Sequence, residues 1–256
     1  MKNVFSPALD AYRQYRAVRN GSRAYRVLRY AFSAAVAAYV LLLNFPQVLF
    51  AHELSYKNFR VYSREPLDGG VYALLDRVDA RLAASEVEDA GPRPRIFLTG
   101  SQGLYSFLSM YVGGKSFAKG FALLPPENVF VNRADVSRDL VFRETRGDDE
   151  RNLTGVLAHE AAHFLTRRRL GYWKNLRAPS WKLEGYAEYV AGGSLLGGEE
   201  GARRWKESPA DDSRYRYFKY YMLVRHLFEV RKLSFREVFD RDIDVRALEA
   251  EVLGGL

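Results

Sequence analysis

Two histidines four positions apart, with a glutamate directly after the first, lie inside an apolar pattern: residues 159–163 read His-Glu-Ala-Ala-His. Four positions is slightly more than one turn of 3.6 residues, so an α-helix brings both imidazoles to one face. Leu153, Val156, Leu157, Phe164 and Leu165 recur at helical spacing around them. Such a helix packs into a core, where two imidazoles and a carboxylate are costly to desolvate without a partner. A bound metal is one such partner. The competing reading is a surface helix with two solvated histidines.

The flanks set the expected ends of this helix. Asp148, Asp149 and Glu150 supply negative charge where the N-terminal dipole favours it. Arg167, Arg168 and Arg169 suit the last turn, and Gly171 is a stop signal. On this helix His159 and His163 can offer ring nitrogens to one zinc ion (Zn2+), while Glu160 flanks the site as a general base. The metal would lower the pKa of a water molecule and polarise a carbonyl, and Glu160 would accept the proton.

A third ligand is available downstream. Pro179-Ser180 reads as a helix start with Ser180 as N-cap, and the helix is expected from Trp181 to about Ala191, before Gly192-Gly193. Glu184 and Glu188 are four apart and share a face. Leu183, Ala187 and Val190 suit the packing side. Packed against the first helix, Glu184 would complete a tetrahedral site with one open position.

His-Glu-Ala-Ala-His followed by Trp181-x-x-Glu184-Gly185-x-Ala187-Glu188-Tyr189 resembles the gluzincins, the zinc peptidases that include thermolysin-like and aminopeptidase-N-like enzymes. The resemblance implies peptide-bond hydrolysis on a peptide or protein substrate. It implies His159, His163 and Glu184 as zinc ligands, Glu160 as base, and Glu188 as the residue that orients His159. A solvated helix charge is the alternative for Glu188. The resemblance also implies a tyrosine or histidine that stabilises the tetrahedral oxyanion. Tyr221, in a helix expected over 214–230, is the best match, with Tyr217 one turn away as the substitute. Ordinary packing is the alternative for any one of the chain's 17 tyrosines. His226 reads as a satisfied core or surface histidine, and His52 has no evident partner. The metzincin extension is absent, since Thr166 and Arg169 stand where it needs glycine and histidine. The Gly-Ala-Met-Glu-Asn segment of aminopeptidases is also missing, which leaves endo- versus exo-action open.

The remainder reads as α+β. Strands are expected over 58–63, 95–99, 120–124 and 129–132, with helices over 71–87 and 102–112. In gluzincins a small mixed sheet lies over the motif helix, and its antiparallel edge strand pairs with substrate backbone. Gly120–Leu124 resembles that edge strand by its order along the chain, with an ordinary sheet strand as the alternative. A helical part is expected to follow the motif.

Apolar content of 48% is enough for a sizeable core, and the absence of cysteine excludes disulfides and thiolate metal sites. The net charge of +8 is partly concentrated at the N-terminus, where Lys2, Arg13, Arg16, Arg19, Arg23, Arg26 and Arg29 face only Asp10. Interleaved with Tyr12, Tyr15 and Tyr25, such a tail could bind nucleic acid. The next segment favours a membrane instead. No residue from Tyr30 to Ala51 is charged, and Tyr30–Phe50 as a helix would rise about 31 Å. The expected organisation is a basic cytoplasmic tail (1–29), a single transmembrane anchor (30–51) and an extracytoplasmic metallopeptidase domain (52–256) in the cell membrane, with no nucleic acid partner. A cleaved signal peptide and a buried soluble helix are the alternatives for the apolar run. The alternative function is a non-catalytic, membrane-anchored binding module with a structural zinc, for which Glu160 would have no use. Nothing in the sequence sets the oligomeric state.

Overall fold

In the computed structural model all residues are described except 1–5, 88–90, 114–115, 124, 144–149, 194–197, 208–212 and 256. The chain forms two compact units, Met1–Pro46 and Gln47–Leu256.

The first unit holds helices α1 (Ser6–Gly21) and α2 (Arg23–Asn44). Ser22 separates them and caps α2, its hydroxyl accepting from the Tyr25 N–H at 3.4 Å. α2 has 22 residues and is long and apolar enough to cross a membrane, with a rise of about 33 Å. It does not run through the whole uncharged stretch. Pro46 lacks an N–H and disfavours helical geometry at the preceding residue, and Phe45 leaves the helix with φ −125° and ψ 56°. Residues Pro46–Leu49 form a 3₁₀ turn. Phe50 is then buried in the second unit, its ring centroid 5.1 Å from that of Phe97. The helix long and apolar enough to span thus covers 23–44 rather than the 30–51 expected of an anchor, and Arg23, Arg26 and Arg29 occupy its first turns.

The second unit is mixed α+β. Its elements are β1 (His52–Tyr56), β2 (Phe59–Ser63), α3 (Gly70–Ala83), β3 (Arg95–Leu98), α4 (Gln102–Leu108), β4 (Ala118–Phe121), β5 (Asn128–Val131), β6 (Arg133–Asp135), β7 (Leu140–Phe142) and β8 (Glu150–Asn152). Then come α5 (Leu153–Leu170), α6 (Tyr172–Arg177), α7 (Ser180–Val190), α8 (Gly198–Glu207), α9 (Ser213–Glu229), α10 (Phe235–Asp240) and α11 (Val245–Gly254). A five-stranded sheet has the order β1-β2-β3-β5-β4. β2, β3 and β5 are parallel, and the outer strands β1 and β4 pair antiparallel with their neighbours. Every residue of β3 and β5 is buried, as central parallel strands require.

The other strands β6, β7 and β8 form a small antiparallel sheet. It has no expected counterpart, because three-residue strands are too short to carry a period-2 signal. It also changes how α5 begins. Glu150 belongs to β8 rather than to the helix, and Asp148 and Asp149 lie outside the described residues. Asn152 is the cap, its side chain accepting from the Gly155 N–H at 2.8 Å. The negative charge at this terminus comes from Asp139, whose carboxylate accepts from the Thr154 N–H at 2.8 Å and hydroxyl at 2.9 Å. At the far end, Arg167 and Arg168 both pair with the buried Glu127, next to the start of β5.

α7 begins one residue earlier than expected. Ser180 is its first residue, and Pro179 precedes it without a side-chain cap. α7 lies hard against α9 because Gly185 has no side chain: a Cβ there would sit 2.4 Å from the Tyr220 carbonyl oxygen. The close approach at Gly185 places Tyr220 opposite α7, with Tyr217 and Tyr221 on either side of it along α9.

Candidate metal centre

α5 presents His159 and His163 on one face, and α7 presents Glu184 towards them. Their closest atoms form a triangle. His159 Nε2 and His163 Nε2 are 3.0 Å apart, and Glu184 Oε2 lies 3.5 Å from the first and 3.4 Å from the second. A tetrahedral zinc site with bonds of about 2.0–2.1 Å separates its ligand atoms by about 3.3 Å. The donor set fits a divalent cation with three protein ligands and one direction left open, and these three residues could hold one.

The surroundings carry negative charge that a cation would balance. Burial disfavours the protonated form of His159, yet Glu184, Glu188 and Glu160 outweigh it and raise the imidazole to about 10. Burial likewise opposes ionisation of Glu184, but the two histidines hold its carboxyl far below the usual carboxylate range.

Glu188 is fully buried, so the solvated-charge alternative is excluded. Its Oε1 lies 3.3 Å from His159 Nδ1, an ion-pair contact without hydrogen-bond alignment. On its other side Arg151, from β8, donates to both carboxylate oxygens at 3.2 Å. Burial alone would raise the Glu188 pKa, but His159 and Arg151 reverse that and lower it. Arg151 carries no sequence motif, and only the unforeseen β8 brings it here.

β4 forms the sheet edge beside α5. A Cβ on Gly120 would come within 2.6 Å of Phe164 Cζ and 3.3 Å of Glu160 Oε2, so glycine lets the strand approach the carboxylate. A cavity of about 180 Å³ opens here, lined by the three candidate ligands together with Phe117, Glu160 and Tyr217. The expected edge strand thus occupies 118–121 rather than 120–124, of which Leu124 lies outside the described residues.

Tyr217, not Tyr221, faces this cavity. The Tyr217 ring centroid is 6.5 Å from that of His159, and burial, followed by the charge of Glu184, raises its phenol pKa. Tyr221 lies one turn further along α9. Its hydroxyl is 3.8 Å from where a Cβ on Gly193 would stand, beyond the end of α7. His226 pairs with Glu251 at 2.7 Å, and His52 lies in β1, at the opposite edge of the sheet from β4.

No protein-family model matches the chain, and no curated protein matches it.

Proposed function

We propose that the chain is a zinc-dependent peptidase of the gluzincin type, held in the cell membrane by α2 with residues 47–256 on the extracytoplasmic side. The observation that carries this reading is the triangle of His159 Nε2, His163 Nε2 and Glu184 Oε2, with Glu160 beside it under the edge of β4. When bound there, zinc would polarise the scissile carbonyl and make water more acidic. The residues of the chain divide the remaining work. The outer edge of β4 would pair with an extended peptide and lay it along the cavity. The Glu160 carboxylate would take the proton released as water adds to the carbonyl carbon, and deliver it to the amide nitrogen as the C–N bond breaks. The Tyr217 phenol, protonated at neutral pH as an ordinary phenol is and with its pKa raised further by burial, would donate to the developing oxyanion. Glu188 and Arg151 would hold the His159 ring. The excess of basic residues before α2 supports the orientation.

Glu160→Gln separates this reading from a binding module with a structural metal. Full-length protein is loaded with zinc, its metal content is measured, and it is screened against a peptide library. The wild type is expected to cleave, and the variant to bind zinc equally and cleave nothing. Zinc bound by both proteins with cleavage by neither would sink the peptidase reading in favour of the module.

A further inference from the structure

α6 has no buried residue, yet three of its six positions are large and apolar. Tyr172, Trp173 and Leu176 are 63%, 66% and 64% exposed, and their spacing places them on one side of the helix. The two rings meet edge to face, with centroids 5.2 Å apart. The other two tryptophans of the chain, Trp181 and Trp205, are only 8% and 3% exposed. The patch is flanked by positive charge. Arg169 and Arg177 are exposed on either side of it. Arg169, Lys174 and Arg236 line a shallow cavity of about 450 Å³ beside α6. Among the described residues, Asp240 pairs with Lys174 and Arg236, and Glu86, on the wall of the same cavity, accepts from the Phe235 N–H at 2.8 Å, which leaves Arg177 as the exposed cation beside the rings.

Tyrosine and tryptophan have apolar bodies with a polar edge, and they concentrate where hydrocarbon meets water. Cations beside them attract acidic headgroups. We infer that α6 and its basic flank form a docking surface for an anionic phospholipid bilayer, with Tyr172, Trp173 and Leu176 entering the headgroup boundary. The inference rests on α2 as the membrane span, since a tethered domain meets the bilayer at high effective concentration and a small patch then suffices. α6 connects α5 to α7, the helices that carry all three candidate ligands. Seating it would therefore set the height of the site above the membrane.

The test uses full-length protein reconstituted in nanodiscs whose acyl chains carry bromine, a short-range quencher of tryptophan fluorescence. The first unit contains no tryptophan, so insertion of α2 contributes nothing to the signal. The discs contain either phosphatidylcholine alone or phosphatidylcholine with phosphatidylglycerol. The wild type is expected to be quenched in the anionic discs, and Trp173→Phe to lose most of that quenching. With Tyr172, Trp173 and Leu176 intact, Arg177→Gln should weaken the preference for anionic discs about five-fold. Equal quenching in the wild type and Trp173→Phe would overturn the inference and leave the patch to a protein partner. So would equal quenching in neutral and anionic discs. Extraction of the wild type from vesicles by alkaline carbonate reports on α2 separately: release there contradicts the anchor itself, whereas retention without Trp173 quenching contradicts only the docking surface.

Discussion

The Arg151 guanidinium grips both carboxylate oxygens of Glu188 at 3.2 Å, and Glu188 in turn lies 3.3 Å from His159 Nδ1. A buried carboxylate held by the Arg151 guanidinium and facing an imidazole is fixed in one place, and so is the ring it faces. Removing one partner of a buried pair leaves charge uncompensated and typically costs about 3–5 kcal/mol. Arg151→Met is therefore expected to destabilise the domain by about 3 kcal/mol and to weaken zinc binding about 10–100-fold. Arg151→Lys, which keeps the charge without the planar guanidinium, should recover most of the stability and part of the affinity. Denaturant melts and zinc competition with a chromophoric chelator measure both. Unchanged affinity in Arg151→Met would show that this contact does not position His159.

Gly120 lies where a side chain would meet Phe164 and Glu160. Gly120→Ala should overpack the contact between β4 and α5, at a cost of about 1–3 kcal/mol. Peptide turnover should fall while zinc content stays at the wild-type level, because no ligand moves. The double variant Gly120→Ala/Phe164→Leu frees the space that the Phe164 ring fills and should regain stability. A single variant as active and as stable as the wild type would contradict the close approach.

Tyr217 and Tyr221 make opposite claims on the oxyanion. Loss of one such donor lowers kcat about 10²–10³-fold in acyl-transfer enzymes. Tyr217→Phe is expected to lose kcat on that scale with little change in KM, and Tyr221→Phe to stay close to the wild type. The reverse result would mean that α9 sits one turn away from its position against α7.

Zinc should also stabilise the fold, since its ligands come from two different helices and the unfolded chain does not hold them together. At about 100 times its Kd a ligand adds about 2.7 kcal/mol, which for a domain of this size raises Tm by about 5–10 °C. Calorimetry with and without chelator gives the comparison. An identical Tm in both conditions would mean that the triangle of donors binds no metal.

Much of this architecture was legible in the sequence where periodicity is long. α5, α7 and α9 each exceed ten residues and carry enough repeats for their faces to be read. The spacing of His159, His163, Glu184 and Glu188 then follows from helix geometry. Register between helices was not legible. The choice between Tyr217 and Tyr221 depends on how α9 seats against α7, where Gly185 lets Tyr220 approach closely, and no periodicity encodes that seating. The sheet β6–β7–β8 was invisible for a related reason, and with it the origin of Arg151 and the charge that Asp139 places at the start of α5. The apolar run after Tyr30 was read to Ala51, whereas α2 ends at Asn44: hydropathy does not separate a long apolar helix from the start of a core, and Pro46 marks the change before buried Phe50.

The most direct test of the metal centre is elemental analysis of the full-length protein after zinc loading and dialysis, alongside His163→Ala and Glu184→Ala. The result expected is one zinc per chain in the wild type and loss of it in both variants. A wild type that retains no zinc, or variants that retain as much as the wild type, would contradict the site.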